Sequence, residues 1–248
     1  MHSAKYTTAL SHATLIRMRS LDRARPLRVV SVSLGASARN ACVEMSLLGR
    51  TVLLERRGVD GDAQAARRLF ERLRGEVDAF GLGGADLHLE VAGRRYVMRE
   101  SAATVRHAGD TPVVCGAGLK HTLERRAVHT LNDVMAWRGA RVLVPSSVDR
   151  WGMTEAIMDA GADVTMGDLA FLLGIPLPLR DRSRFASVTH ALAPVVTKLP
   201  MAWLYPTGAK QATRVGGWRE AWFHDSDVIA GDWHLIARYA PSDLRGKR

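Results

Sequence analysis

The sequence has few cysteines and no long hydrophobic run, and each shortage excludes a class of protein. Two cysteines occur among 248 residues, and their number and spacing do not indicate a disulfide framework or a metal site. No apolar stretch approaches the roughly 18 residues that a membrane-spanning helix requires. Basic residues interrupt the apolar residues of segment 1–26, so this segment lacks the continuous apolar core of a secretion signal. We therefore expect a cytoplasmic protein that does not associate with membranes.

Lysine is also scarce, although the chain is strongly basic. The formal net charge is +10, and only five of the 35 basic residues are lysine. A positive charge of this size attracts phosphates. The arginines are nevertheless spread along the chain, without the basic and aromatic clusters typical of nucleic-acid binding. We expect a small-molecule substrate rather than nucleic acid as the partner, and the sequence leaves a homo-oligomer open.

The first half of the chain alternates between strand, turn and helix patterns. One helix is predicted after Asp62, because Ala66, Leu69, Phe70 and Leu73 have the spacing of one buried helix face. The remaining predicted elements are strands at 27–34, 51–55, 77–84 and 113–114, a β-hairpin at 87–98 and a helix from Leu119 to Trp137. Residues 27–137 are therefore predicted to form a mixed α/β substrate domain, preceded by a loose extension at 1–26.

The second half shows the pattern of a Rossmann-like unit. A strand at 141–147, a helix ending at Gly161 and a strand at 163–168 fall within the length of one βαβ crossover. A third strand is predicted at 227–232. The predicted fold is thus α/β, with a mixed N-terminal domain followed by a Rossmann-like parallel-sheet domain at 138–248. The closing residues resemble those that precede the strand at 141, and we expect this domain to be truncated at its C-terminus.

The turn after the first of these strands is the candidate cofactor site. Helix N-termini bind phosphates through their free amides, and Ser146, Ser147, Arg150 and Gly152 lie in this turn. Asp168 follows about twenty residues later, where an acid accepts hydrogen bonds from a ribose. The turn lacks the Gly-x-Gly-x-x-Gly pattern. An ordinary βα loop, with Asp168 as a helix cap, is therefore the alternative.

Candidate catalytic residues lie elsewhere in the chain. Lys120 follows glycines at a predicted helix start, and it is interpreted as a base or substrate anchor, or else as part of a solvated helix face. Asp232 and His234 end the third strand and are the alternative base, while His234 also fits an ordinary surface histidine. The loop Tyr205–Lys210 has a cationic tip and is either an anion site or a solvated turn. The cysteines, histidines and acids form no metal-ligand pattern.

Several segments together resemble a known bacterial family. The segments are Val30–Gly35, Glu55–Asp62, Asp78–Gly84, Gly118–Arg126 and Asp227–His234. They resemble the family labelled quinate or shikimate 5-dehydrogenase-like, over most of residues 27–247. This resemblance implies an oxidoreductase that uses NAD or NADP. It also implies that the fold continues into another strand after Lys247.

The predicted function combines the two domains. The leading hypothesis is an NAD(P)-dependent oxidoreductase that acts on a small hydroxylated substrate, because hydride transfer from an alcohol needs a base beside the hydroxyl and a fixed nicotinamide. The alternative is a non-catalytic protein that binds a nucleotide or another small ligand through a degenerate Rossmann site. The missing glycines favour this alternative.

Overall fold

A computed structural model describes residues 25–200 and 214–248. The strands are β1 (Leu27–Ser33), β2 (Ala41–Leu47), β3 (Arg50–Gly58), β4 (Ala79–Gly83), β5 (His88–Val91), β6 (Arg94–Val97), β7 (Val113–Cys115), β8 (Arg141–Val144), β9 (Asp163–Met166) and β10 (Val228–Ile229). The helices are α1 (Ala63–Leu73), α2 (Arg99–Val105), α3 (Ala117–Leu131), α4 (Trp151–Asp159), α5 (Asp168–Leu173), α6 (Arg182–Val196), α7 (Glu220–His224) and α8 (Trp233–Tyr239), with short 3-10 turns at Ser37–Arg39 and Arg106–Ala108. The described residues contain no helix that is both long and apolar enough to cross a membrane.

The chain divides into two compact units. The first comprises the described residues up to Ala85 together with Ala103–Gly118, and the second comprises Asp86–Ala102 together with the described part of Leu119–Arg248. The predicted boundary at residue 138 therefore differs from the observed one. The hairpin and most of α3 belong to the second unit, because Val91 and Val128 lie in the same buried cluster as the β8 side chains.

The first unit is built on a mostly parallel sheet. Its strand order is β2-β3-β1-β4-β7, in which β1, β3, β4 and β7 run parallel and β2 pairs antiparallel with β3. The predicted strands do not include β2, all of whose residues are exposed. Helix α1 begins, as predicted, directly after Asp62, whose carboxylate accepts hydrogen bonds from the amides of Gln64 and Ala65. Phe70 of α1 packs edge-on against Phe80 of β4, with 5.0 Å between ring centroids.

The second unit contains the predicted βαβ crossover. Strands β10, β8 and β9 are parallel and lie in that order, with α4 connecting β8 to β9. Val142 and Val144 of β8 join one buried cluster, whereas Leu143 between them joins another. Burial on both faces is typical of a central parallel strand. The α/β fold, with a parallel sheet and helices in its second half, is therefore confirmed.

The third strand is shorter than the predicted range of 227–232. Helix α8 begins directly after Asp232, which caps it by accepting hydrogen bonds from the amides of His234 and Leu235. On the outer side of β10, Ile229 donates to the carbonyl of Arg248 and Arg248 donates to the carbonyl of Asp227. The expected truncation of this unit stays a prediction.

Candidate functional site

Acidic side chains follow each of the parallel strands of the second unit. Asp149 comes after β8, Asp168 after β9 and Asp232 after β10. The carboxyl ends of parallel strands meet at one edge of a sheet, and ligands bind there in open α/β sheets. This edge is therefore a candidate ligand site. Two of these acids belong to one network of charged side chains, and the third holds the loop that carries the network.

Lys120 lies at the centre of this network. Its ammonium nitrogen is 3.0 Å and 2.9 Å from the two carboxylate oxygens of Asp86, and it also donates a hydrogen bond to Oδ1 of Asp149. The Lys120 side chain is 20% exposed and that of Asp149 only 5%. The lysine is therefore reachable from solvent, while one of its carboxylate partners is almost fully buried. The interpretation of Lys120 as part of a solvated helix face is wrong, because its ammonium group pairs with two carboxylates and its side chain is mostly buried.

The pKa values of Lys120 and Asp149 are both raised, for different reasons. Burial alone would lower the pKa of Lys120, but the charges of Asp149 and Asp86 outweigh it and raise that pKa. Burial raises the pKa of Asp149 to about 6, and the negative charge of Asp86 adds to this effect while Lys120 opposes it. Lys120 thus keeps its proton at neutral pH, which suits a substrate anchor. Asp149 is the member of the pair that titrates near neutrality.

Arg150 extends the network toward β10. Its guanidinium donates to Glu124 of α3 and, over 3.3 Å, to Oδ2 of Asp232. Burial raises the pKa of Glu124. With Lys120, Asp86 and Asp149, the network has two cations and four carboxylates, so it carries excess negative charge when all groups are ionised. Acids with raised pKa values that are grouped at a sheet edge are typical of functional sites.

The predicted cofactor loop is closed. Both oxygens of the Asp168 carboxylate accept hydrogen bonds from this loop, from the amides of Ser147 at 3.0 Å and Val148 at 2.8 Å. Ser146 and Ser147 have no exposed surface, and their hydroxyls find no hydrogen-bond partner among the described residues. Asp168 and the loop therefore do meet, but the acid occupies the amides that would hold a phosphate.

Gly152 explains why this loop lies so close to α3. A Cβ atom at this position would be 2.9 Å from the Cα of His121 and 3.1 Å from the carbonyl oxygens of Lys120 and His121. The glycine is thus required for close contact between the start of α4 and the backbone of α3, not for contact with a ligand. The loop amides are already bonded to Asp168, and the start of α4 is packed against the backbone of α3. This arrangement does not fit a dinucleotide pyrophosphate.

The other predicted residues have separate environments. The side chain of Asp232 contacts Arg150 at the edge of the network. His234 is partly buried in the first turn of α8, and the ion pairs of the network among the described residues do not include it. The loop Tyr205–Lys210 lies outside the described residues. No group of three or more histidine, cysteine or acidic residues in 25–200 and 214–248 is arranged to hold a metal ion.

Sequence reasoning missed Asp86, Glu124 and Asp149. Asp149 lies within the predicted loop, between residues that were named, and its position after a buried parallel strand was the available signal. Asp86 follows a glycine turn far from the other two in sequence, and no local pattern links it to Lys120. Its role depends on tertiary contacts alone.

The second half of the chain matches a protein-family model. A model described as a domain of unknown function, DUF8754, matches residues 118–248, more than half of the chain. The chain belongs to this family. A second model, described as a domain of unknown function, DUF8753, matches residues 28–115. The two matches meet close to the boundary at Gly118 between the structural units.

Comparisons with individual proteins add little to the family assignment. No curated protein matches the sequence. Among solved structures, the malic enzyme of Entamoeba histolytica is similar with a TM-score of 0.38 and 13% sequence identity over 96% of this chain. The chain spans 53% of the length of that enzyme.

Proposed function

We propose that the second unit carries an acid–base site for a small hydroxylated substrate. The observation that carries the proposal is the position of the Lys120 ammonium between Asp86 and Asp149. This lysine has two carboxylate partners, and one of them, Asp149, has a pKa raised to about 6. Such an acid changes its charge near neutral pH, as a general base must.

The roles of the two residues follow from their charges. Above about pH 6 the Asp149 carboxylate is ionised and accepts the proton of a substrate hydroxyl as the O–H bond breaks. The positive charge of the Lys120 ammonium, which lies beside Asp149, stabilises the negative charge that develops on the substrate oxygen. Asp86 holds the ammonium in place through both of its oxygens. Lys120 therefore acts as the anchor and Asp149 as the base.

The nicotinamide cofactor remains a separate proposal. The resemblance to quinate or shikimate 5-dehydrogenase-like proteins supports an oxidoreductase that uses NAD or NADP with a quinate-like or shikimate-like substrate. The closed loop around Asp168 instead favours the alternative, a non-catalytic nucleotide- or small-ligand-binding protein with a degenerate Rossmann site. Lys120 is a ligand anchor in both proposals, whereas the role of Asp149 as a base belongs to the enzyme alone.

Ligand-induced thermal stabilisation tests the substrate site. A ligand that binds only the folded state raises the melting temperature. We expect millimolar quinate or shikimate to raise the melting temperature of the wild-type protein and of Lys198→Met, which alters an exposed lysine. Lys120→Met and Asp149→Asn should lose this shift. Equal shifts in all four proteins, or no shift in the wild type, would contradict the substrate proposal.

The same measurement with nucleotides tests the cofactor. If NAD, NADP and AMP at millimolar concentration do not raise the melting temperature, the dehydrogenase proposal fails, because a bound nucleotide would stabilise the folded state. A shift with NAD or NADP would show that the loop after β8 opens or that the cofactor binds elsewhere. Asp168→Asn should strengthen any nucleotide binding at this loop, because the variant weakens the contacts that occupy its amides.

A further inference from the structure

An apolar cavity lies in the same unit. The empty space between its lining residues, including the part open to solvent, is about 630 Å³. Its walls come mainly from α5 and α6, with further side chains from the hairpin and the loop after β8. Representative lining residues are Leu89, Met98, Leu169, Phe185, Leu192 and Val196. Leu173 and Leu192 are each 38% exposed, so apolar surface continues to the opening.

Asp168 is the exception in this lining. Thr189 is uncharged and the other lining residues are apolar, so the carboxylate is the charged group of the cavity wall. Its oxygens accept hydrogen bonds from backbone amides, and the ion pairs among the described residues do not include it. The charged group that acts on Asp168 is Asp149. Its negative charge repels the Asp168 carboxylate and raises the pKa of Asp168 instead of neutralising it. A buried acid without a cation is costly.

We propose that this cavity binds a small amphipathic amine, with the apolar body among the side chains of α5 and α6 and the ammonium on Asp168. A carboxylate oxygen that accepts one amide hydrogen bond retains a second lone pair for a donor. An ammonium adds charge attraction, which is strong in an apolar surrounding. A fatty acid of the same length would place a second negative charge against Asp168, and a neutral alcohol would supply only a hydrogen bond.

Three probes of equal chain length test the head-group preference. Isothermal titration of the full chain with n-octylamine, n-octanol and n-octanoate at pH 8 should show octylamine binding at least tenfold more tightly than either of the others. Burial raises the pKa of Asp168 to about 7. Because pH 8 lies above this value, the carboxyl group is mostly ionised in the experiment. Equal affinity for the three probes, or no binding of any of them, would overturn the proposal.

The acid is tested in two independent ways. Asp168→Asn should remove the preference for octylamine while keeping octanol binding, because the apolar lining side chains are all retained. If this variant does not fold, the wild type at pH 5.5 serves instead, where Asp168 and Asp149 both gain protons and octylamine remains an ammonium. A preference that persists at pH 5.5 would overturn the role of Asp168.

A pair of neighbouring substitutions tests the location. Val196→Phe adds a ring at a position that lines the cavity, and it should weaken octylamine binding at least tenfold. Val195→Phe makes the same change one residue earlier, at a side chain that is 62% exposed and does not line the cavity. It should leave binding unchanged. Equal loss in both variants, or in neither, would place the amine elsewhere.

Discussion

Asp168 Oδ1 accepts a hydrogen bond of 2.8 Å from the amide of Val148, so that the acid after one parallel strand closes the loop after its neighbour. The second carboxylate oxygen is bonded in the same way to Ser147. This contact replaces the phosphate that the sequence led us to expect at the loop. It also fixes the backbone next to Asp149 and thereby the position of the proposed base.

The pH dependence of stability should reveal this buried acid. Burial raises the pKa of Asp168 from 3.8 to about 7 in the folded protein. Between these values the folded state binds a proton that the unfolded state releases, so the free energy of unfolding falls as pH rises through the interval, by up to about 1.4 kcal/mol per pH unit. Urea titrations at pH 4.5, 6 and 8 on wild type and Asp168→Asn isolate this contribution.

The comparison between the two proteins is the control, because the groups that do not interact with Asp168 titrate alike in both. We expect the stability of the wild type relative to Asp168→Asn to fall steadily with rising pH. A difference that stays constant or grows as pH rises would show that Asp168 titrates at an ordinary value.

Gly152 should tolerate no side chain. The Cβ atom of Gly152→Ala would approach the Cα of His121 to 2.9 Å, and the atoms that must move are backbone. Overpacking of this kind costs about 1–3 kcal/mol, which denaturant unfolding measures directly. Gly118→Ala in the same region is the matched control, since a Cβ there meets nothing within 4 Å and alanine favours a helix. A neutral Gly152→Ala would mean that α3 and α4 are not in close contact.

The predictability of the fold and of the site differed for a physical reason. The βαβ crossover, the hairpin and the Asp62 cap depend on local periodicity and capping chemistry, which are visible in sequence. Strand β2 was missed although Val43, Met45 and Leu47 alternate with polar residues, and none of these side chains is buried in the described structure. The contact between Lys120 and Asp86 joins distant segments through tertiary packing, and no spacing rule indicates it. Asp168 was placed correctly beside the loop, but the partner of its carboxylate depends on where the loop amides point.

Lys120 should stabilise the carboxylates around it. Lys120→Met leaves Asp86 and Asp149 facing each other without a cation, and we expect a loss of about 1–3 kcal/mol, less than for a fully buried pair because the lysine is partly exposed. The double variant Lys120→Met with Asp149→Asn should recover part of this loss, since it removes one of the repelling charges. Denaturant unfolding of the single and double variants, with Lys198→Met as control, measures both effects. An additive double variant would show that the two residues do not interact.

The titration of Asp149 tests the proposed acid–base site most directly. Carbon-13 NMR of the aspartate side-chain carboxyl groups, with the Asp149 signal assigned by its loss in Asp149→Asn, follows the protonation of this group alone. A midpoint near pH 6 is expected, because burial and the charge of Asp86 raise the pKa of Asp149. Lys120→Met should move this midpoint higher, since Lys120 opposes the shift. A midpoint below pH 4 in the wild type would contradict the proposal that Asp149 is the base.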